Sequence, residues 1–344
     1  MPASLCHPTH FGSFNRIYGL TGTIGSELER RELQETYGIT TFDVPPYRPC
    51  LRHDLEPQVC LTMQDHFDAI VADITEMRAK GRPTLVLCET IQQANELARY
   101  GSSRGVSSLT LTACQSDDED FIITQAGFPG KVTIATNTAG RGTDILLQKE
   151  TLLAGGLHVI FTYLPVNERV EQQGIGRAGR QGQPGSSRII LLVDSPILAL
   201  LSDALKSGER EKLHKIGYAL FLKQREERVA HLSAERILRT EIERINHGYL
   251  LLFVKQFQAW LKAPDKHAGA LAVTQDRLAR KQGVQQLWAE QFYSRLDELF
   301  VQVQTQSKGD KNVIVSRYKD EIQKFFETAK QTWEKVFDVG AHAT

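Results

Sequence analysis

Hydrophobic and polar positions divide this chain into two halves of different period. Between residues 26 and 195, short apolar runs rich in β-branched residues alternate with stretches of helical spacing. The runs are PTLVLCE (83–89), SSLTLTA (107–113), KVTIATN (131–137), GLHVIFT (156–162) and SRIILLV (187–193). Most are continuously apolar, as parallel strands covered on both faces require. A helical pattern, TIQQANELARYGSS, separates the first two runs, so strand–helix–strand units and a parallel α/β sheet are expected. From 196 onward the apolar residues recur at steps of three and four. Leu238, Ile242, Ile245, Tyr249, Phe253, Phe257 and Trp260 form one stripe. Trp288, Phe292, Leu296, Leu299 and Val303 form a second, and Tyr318, Ile322, Phe325, Ala329, Trp333 and Val336 a third. Such stripes read as the buried sides of long helices, their aromatics forming a bundle core rather than a ligand site.

Prolines sharpen the division. All twelve lie at or before Pro264, and only Pro196 and Pro264 fall beyond residue 184, so the second half is nearly free of helix breakers. The segment DVPPYRPCLRHDLEP (43–57) reads as an extended connector. At 344 residues the chain can hold two cores, and no apolar run is long enough to span a bilayer. Lys plus Arg and Asp plus Glu both number 41, so bulk charge favours neither nucleic acid nor an anionic surface. Five cysteines (Cys6, Cys50, Cys60, Cys88 and Cys114), odd in number and without a C-x-x-C pair, suit reduced packing thiols better than a disulfide or zinc framework. The N-terminus has no basic start followed by an apolar stretch, so nothing there marks it for secretion by the general pathway.

The candidate chemistry lies in two loops rich in glycine and arginine. TNTAGRGTDI (136–145) begins at the end of the run KVTIA, where parallel sheets gather their ligands. Gly140 and Gly142 allow close backbone approach, Arg141 offers a planar fork for phosphate, and Asp144 can accept from a ribose hydroxyl. QGIGRAGRQGQPGSS (173–187) adds Arg177 and Arg180, expected on one side of a helical turn and aimed at a common anion such as a nucleoside triphosphate. The glycines around them are expected to clear space for that group. No G-x-x-x-x-G-K-[ST] loop is present, and the acidic run Asp117–Asp120 reads as the solvated first turn of a helix, so no magnesium ligand is expected in this chain.

Together GLTGT (19–23), VPPYRPCLRHD (44–54), TNTAGRGTDI, GGLHVI (155–160) and GRAGRQGQPGSSR (176–188) resemble the second RecA-like half of the motor of the SecA preprotein translocase ATPases. The resemblance runs from about residue 10 to 195. It implies the tail of a first RecA-like domain in 1–25, a second RecA-like domain in 26–195 and a helical domain in 196–344. It also implies roles by position. Arg177 and Arg180 match arginine fingers that stabilise a transferring phosphoryl group. Gly140, Arg141, Gly142, Asp144 and Gln173 match nucleotide contacts, and Thr21, Gly22 and Thr23 match the motif coupling hydrolysis to motion. ATP with magnesium is the implied cofactor, held by an upstream RecA-like domain, and a polypeptide or partner protein is the implied partner of the helices, at the membrane periphery or in the cytoplasm. On this reading the chain is inactive as an ATPase by itself. Two readings compete with it: a catalytically inert SecA-like binding module, and half of a nucleic-acid helicase. The sequence departs from the family after GLHVI, where Phe161, Thr162, Tyr163 and Leu164 replace a glycine, threonine, glutamate and arginine.

Overall fold

In a computed structural model, residues 7–111, 119–136, 144–201, 210–262, 292–307 and 310–338 are described. They form two compact units. One comprises Leu20–Arg31 and Thr41–His231, the other Met1–Gly19, Glu32–Thr40 and Leu232–Thr344. The division falls inside a helix at 231/232 instead of at the expected 195/196. The first turns of that helix pack on the sheet unit: the His214 Nδ1 accepts from the Val59 amide at 3.0 Å, and Tyr218 and Phe221 join the sheet's core.

The sheet unit contains β1 (Leu51–Asp54), β2 (Gln58–Cys60), β3 (Thr84–Cys88), β4 (Leu109–Leu111), β5 (Val132–Thr136), β6 (Leu157–Phe161) and β7 (Pro184–Leu192). Every pairing is parallel, and the order is β1-β7-β6-β3-β5-β4, with β2 also on β7. This is a parallel α/β sheet, and the five apolar runs coincide with β3 to β7, of which β4 is an edge strand. β1 and β2 are the correction. The stretch read as a plain connector forms a broken edge strand, with Leu51–Asp54 beside Pro184–Ser187 and Gln58–Cys60 beside Ile190–Leu192. Pro57 lies in the break, and an edge tolerates a residue that cannot donate to the ladder.

Helices cover both faces: α3 (Met63–Ala79), α4 (Ile91–Ser103), α5 (Glu119–Ala126), α6 (Lys149–Leu153), α7 (Glu168–Ile175) and α8 (Ser195–Leu200). Short helices α1 (His7–Phe11) and α2 (Glu27–Tyr37) come before them. Starts are set by side chains that accept from otherwise unpaired amides: Thr62 from Asp65, Thr90 from Gln93, and Asn167 from Val170. The period of two sends Leu85 and Leu87 of β3 to one core, with Phe161, Ile175 and Leu191, and Val86 and Cys88 to the other, with Ile70, Ile74 and Leu97. Cys60 and Cys88 are buried free thiols, pushed up to about 11 chiefly by desolvation, and Cys50 is exposed. Cys6 and Cys114 lie outside the described residues.

The helical unit is built from the long α9 (Arg210–Lys262), whose later part belongs to it, α10 (Leu296–Gln306) and α11 (Lys311–Asp338). Leu238, Ile242, Phe253, Phe292, Leu296, Phe300, Tyr318 and Ile322 share one core. The described residues of the three stripes therefore meet each other in the bundle's interior, while Trp288 and the side chains of Phe257, Trp260, Trp333 and Val336 lie outside the described residues. Tyr318 is fully buried, and its hydroxyl donates to Asn246 at 2.7 Å. Among the described residues no helix is long and apolar enough to cross a membrane.

Candidate functional site

Helix α7 carries Gln173, half-buried, and ends at Ile175 with Gly176 as its cap. Arg177 therefore lies beyond the helix. Between Arg177 and Arg180 the backbone turns through Gly179 (φ 74) into a short 3-10 turn, Arg180–Gly182. The two arginines are thus not neighbours along one helical turn, as their spacing suggested. The loop also stands at the amino end of β7, not at a carboxyl end: Gly185 pairs with Leu157, near the start of β6.

Asp144, from the other loop, nevertheless reaches it. The Arg180 Nη1 donates to the Asp144 carboxylate at 2.5 Å, and its Nε donates to the Gly176 carbonyl at 3.2 Å. Both charged side chains are partly exposed, so the pair is screened. The Arg177 guanidinium is more enclosed, and desolvation followed by the nearby Arg180 charge lowers its pKa. Both effects disfavour the cation, and both are relieved when an anion approaches. Gly140, Arg141 and Gly142 lie outside the described residues, as do Asp117 and Asp118, while Glu119 and Asp120 form the first turn of α5.

Most described glycines of this region serve contacts within the protein. A Cβ at Gly174 would stand 2.2 Å from the Phe161 ring, and one at Gly185 would stand 2.7 Å from the Gly179 amide. At Gly179 and Gly182 it would meet the β-carbons of Arg52 and Arg48 at 2.8 and 2.9 Å. The edge strand β1 and the connector thus press on the arginine loop. The Arg48 Nη1 donates to the Gln181 carbonyl at 3.3 Å, where Gln181 holds a left-handed φ of 54. Space for a ligand is therefore not what these four glycines supply.

Thr21 and Gly22 are exposed and Thr23 half-buried. The Thr21 hydroxyl donates to the Thr23 carbonyl at 2.8 Å and accepts from its amide at 3.3 Å, a local turn that fixes the motif's shape.

One polar cluster escaped the sequence reading. His158, in the middle of the GGLHVI motif, is fully buried, with Nε2 3.0 Å from the Asp73 carboxylate and Nδ1 2.7 Å from the Ser186 hydroxyl. Arg188 donates to the other Asp73 oxygen at 2.8 Å, and Arg82 to Ser186 at 2.7 Å. Ser186 is 3% exposed, so this Asp–His–Ser line is shut off from any substrate and ties α3 to β6 and β7. The legible signal was a histidine inside an apolar strand.

The family described as the SecA P-loop domain matches residues 49–153 and 148–213 of this chain. Protein translocase subunit SecA of Desulfovibrio desulfuricans is 39% identical over 211 residues, covering 61% of this chain and 24% of that protein. The Stutzerimonas stutzeri subunit is 38% identical over 235 residues, covering 60% and 26%. The chain thus spans about a quarter of the length of these relatives. Among solved structures, the E. coli DEAD-box protein SrmB bound to RraA superimposes with a TM-score of 0.36 at 18% identity, over 42% of this chain and 79% of that one. S. cerevisiae Dbp5 bound to RNA and ADP BeF3 reaches 0.37 at 19%, over 57% and 53%. Those two likenesses are too loose to carry an argument. Sequence identity carries the assignment: residues 49–213 match the SecA P-loop domain, and the chain is SecA-like.

Proposed function

We propose that the sheet unit is the second RecA-like half of a SecA-type ATP-driven motor, lending Arg177 and Arg180 to a nucleotide held on a first RecA-like domain that carries the phosphate loop. The observation that supports this most is the meeting of the two glycine–arginine loops through Arg180 and Asp144, beside a partly desolvated Arg177. The donor set fits a phosphate chain: forked guanidinium groups recognise phosphate oxygens through paired N–H bonds. Bound ATP with magnesium supplies the phosphoryl group, and the magnesium ligands belong to the other domain. Asp144 holds Arg180 by its Nη1 and keeps the fork oriented, and Arg177 offers a partly desolvated charge that an anion would favour. Arg141, Gly140, Gly142 and Gln173 complete the nucleotide contacts in this reading, and Thr21–Gly22–Thr23 couples them to motion. The helical unit contacts a polypeptide or partner protein, in the cytoplasm or at the membrane periphery.

The test joins the chain to a RecA-like domain bearing a phosphate loop. The chain alone should show no ATPase activity above background, and the joined protein should hydrolyse ATP. Arg180→Lys keeps the charge but loses the fork, and should lower kcat about a thousandfold with nucleotide affinity nearly intact, since a finger acts in the transition state. One observation favours an inert binding module: Arg180 is engaged in an ion pair with Asp144 of the same chain. Equal turnover by wild type and Arg180→Lys would select that second reading.

A further inference from the structure

At the carboxyl ends of β3, β6 and β7 the sheet unit encloses a pocket of about 350 Å³ that the arginine loops do not use. Pockets of this size at the strand ends of a parallel sheet are where small ligands bind. His66 of α3 and Gln93 of α4 line it, together with the apolar Phe67, Leu164 and Phe221. His66 is 4% exposed, and its Nε2 lies 2.9 Å from the Ile190 carbonyl, so that nitrogen carries the proton. Burial lowers the imidazole's pKa, against the opposing pull of the Ile190 and Thr162 carbonyls, and favours the neutral ring. Nδ1 is then a bare acceptor, buried and without a hydrogen bond among the described residues, and the Gln93 Oε1 is in the same position. Two buried acceptors on residues that line one pocket are costly unless a donor comes to them.

The charges narrow the ligand further. Arg225 is matched by an ion pair to Glu171, which leaves Glu89 and Asp194 against Arg228 around the pocket, a balance of minus one. Glu89 is close enough to add to the burial that pushes the Tyr163 hydroxyl up to about 12. We propose that this pocket binds a small ligand with a planar apolar ring bearing N–H donors and no negative charge, its N–H groups donating to His66 Nδ1 and Gln93 Oε1 and its ring lying against Phe67, Leu164 and Phe221.

Benzamidine is the probe and benzoate, of the same shape and opposite charge, the control. Each is titrated into the purified chain, followed by amide chemical shifts and by the thermal unfolding midpoint. Benzamidine should shift resonances of the pocket residues saturably and raise the midpoint, and benzoate should do neither. Gln93→Leu removes one acceptor and Glu89→Gln, at an exposed position, removes the charge, and each should weaken binding about fivefold. Unliganded circular dichroism of both variants should match wild type, and Glu89→Gln serves alone if Gln93→Leu misfolds. No saturable shift with benzamidine, equal binding of benzoate, or wild-type affinity in a folded variant would overturn the assignment.

Discussion

Single residues in this protein are decided by what surrounds them more than by the motif that contains them. The arginine loop reads from sequence as a ligand cradle, yet Gly174, Gly179, Gly182 and Gly185 are each filled by the protein's own atoms. Gly156 is the sharpest case: with φ 74, an added Cβ would stand 1.9 Å from the Pro184 carbonyl oxygen, which cannot move without breaking the start of β7. Gly156→Ala is therefore expected to cost at least about 2 kcal/mol, read as a lower urea midpoint with unchanged slope. Asp73 gives a second prediction at this scale. Its carboxylate is 1% exposed and shared by His158 and Arg188. Asp73→Ala strands both partners in a dry site and should destabilise the sheet unit by about 3 kcal/mol, measured by chemical denaturation. Arg188→Met together with Asp73→Leu should recover part of the loss, because an apolar set leaves less charge unpaired.

At the scale of elements, α3 carries a pH dependence. His66 ordinarily titrates near 6.5, and burial lowers that value in the folded protein. Above 6.5 the ring is neutral whether the chain is folded or not, so it costs nothing. As pH falls through 6.5 the unfolded chain takes up the proton first, and stability declines until the lowered folded value is passed. Unfolding free energy should thus fall between pH 7 and pH 5 by more in wild type than in His66→Gln. Denaturant titrations at the two pH values measure the difference, and equal slopes for both proteins would rule out this histidine as the source. The carboxylates lowered by partners, such as Asp54 beside Arg52 and Ser187, lose their contribution only at lower pH, so they do not confuse that window.

For the whole molecule the question is where one unit stops. Proline distribution places the change at 196, but Leu213 packs with Ile197 and Leu201, and a Cβ at Gly217 would already touch Val59 of β2 at 3.0 Å. The first turns of α9 are part of the sheet unit's core. A fragment of residues 41–231 should fold cooperatively, whereas 41–195 should be less stable by several kcal/mol, at about 1.5–3 kcal/mol per large side chain left uncovered. Equal denaturant midpoints for the two fragments would restore the boundary at 196.

The sequence by itself determined the class of each half. Continuous apolar runs such as TLVLC admit only a strand buried on both faces, and repeats of three and four admit only a helix with one buried side, because the backbone's own periods of 2 and 3.6 decide which side chains share a face. The SecA resemblance was legible for the same local reason: its motifs are contiguous. Tertiary structure alone decided the rest. Whether LRHD would pair as an edge strand depended on β7 lying beside it. That Arg180 would meet Asp144, that His158 would meet Asp73, and that the unpaired acceptors of His66 and Gln93 would line one pocket all depend on residues far apart in the chain. No local period encodes such meetings; they arise when the parallel order of the strands brings distant loops and helices to the same place on the sheet.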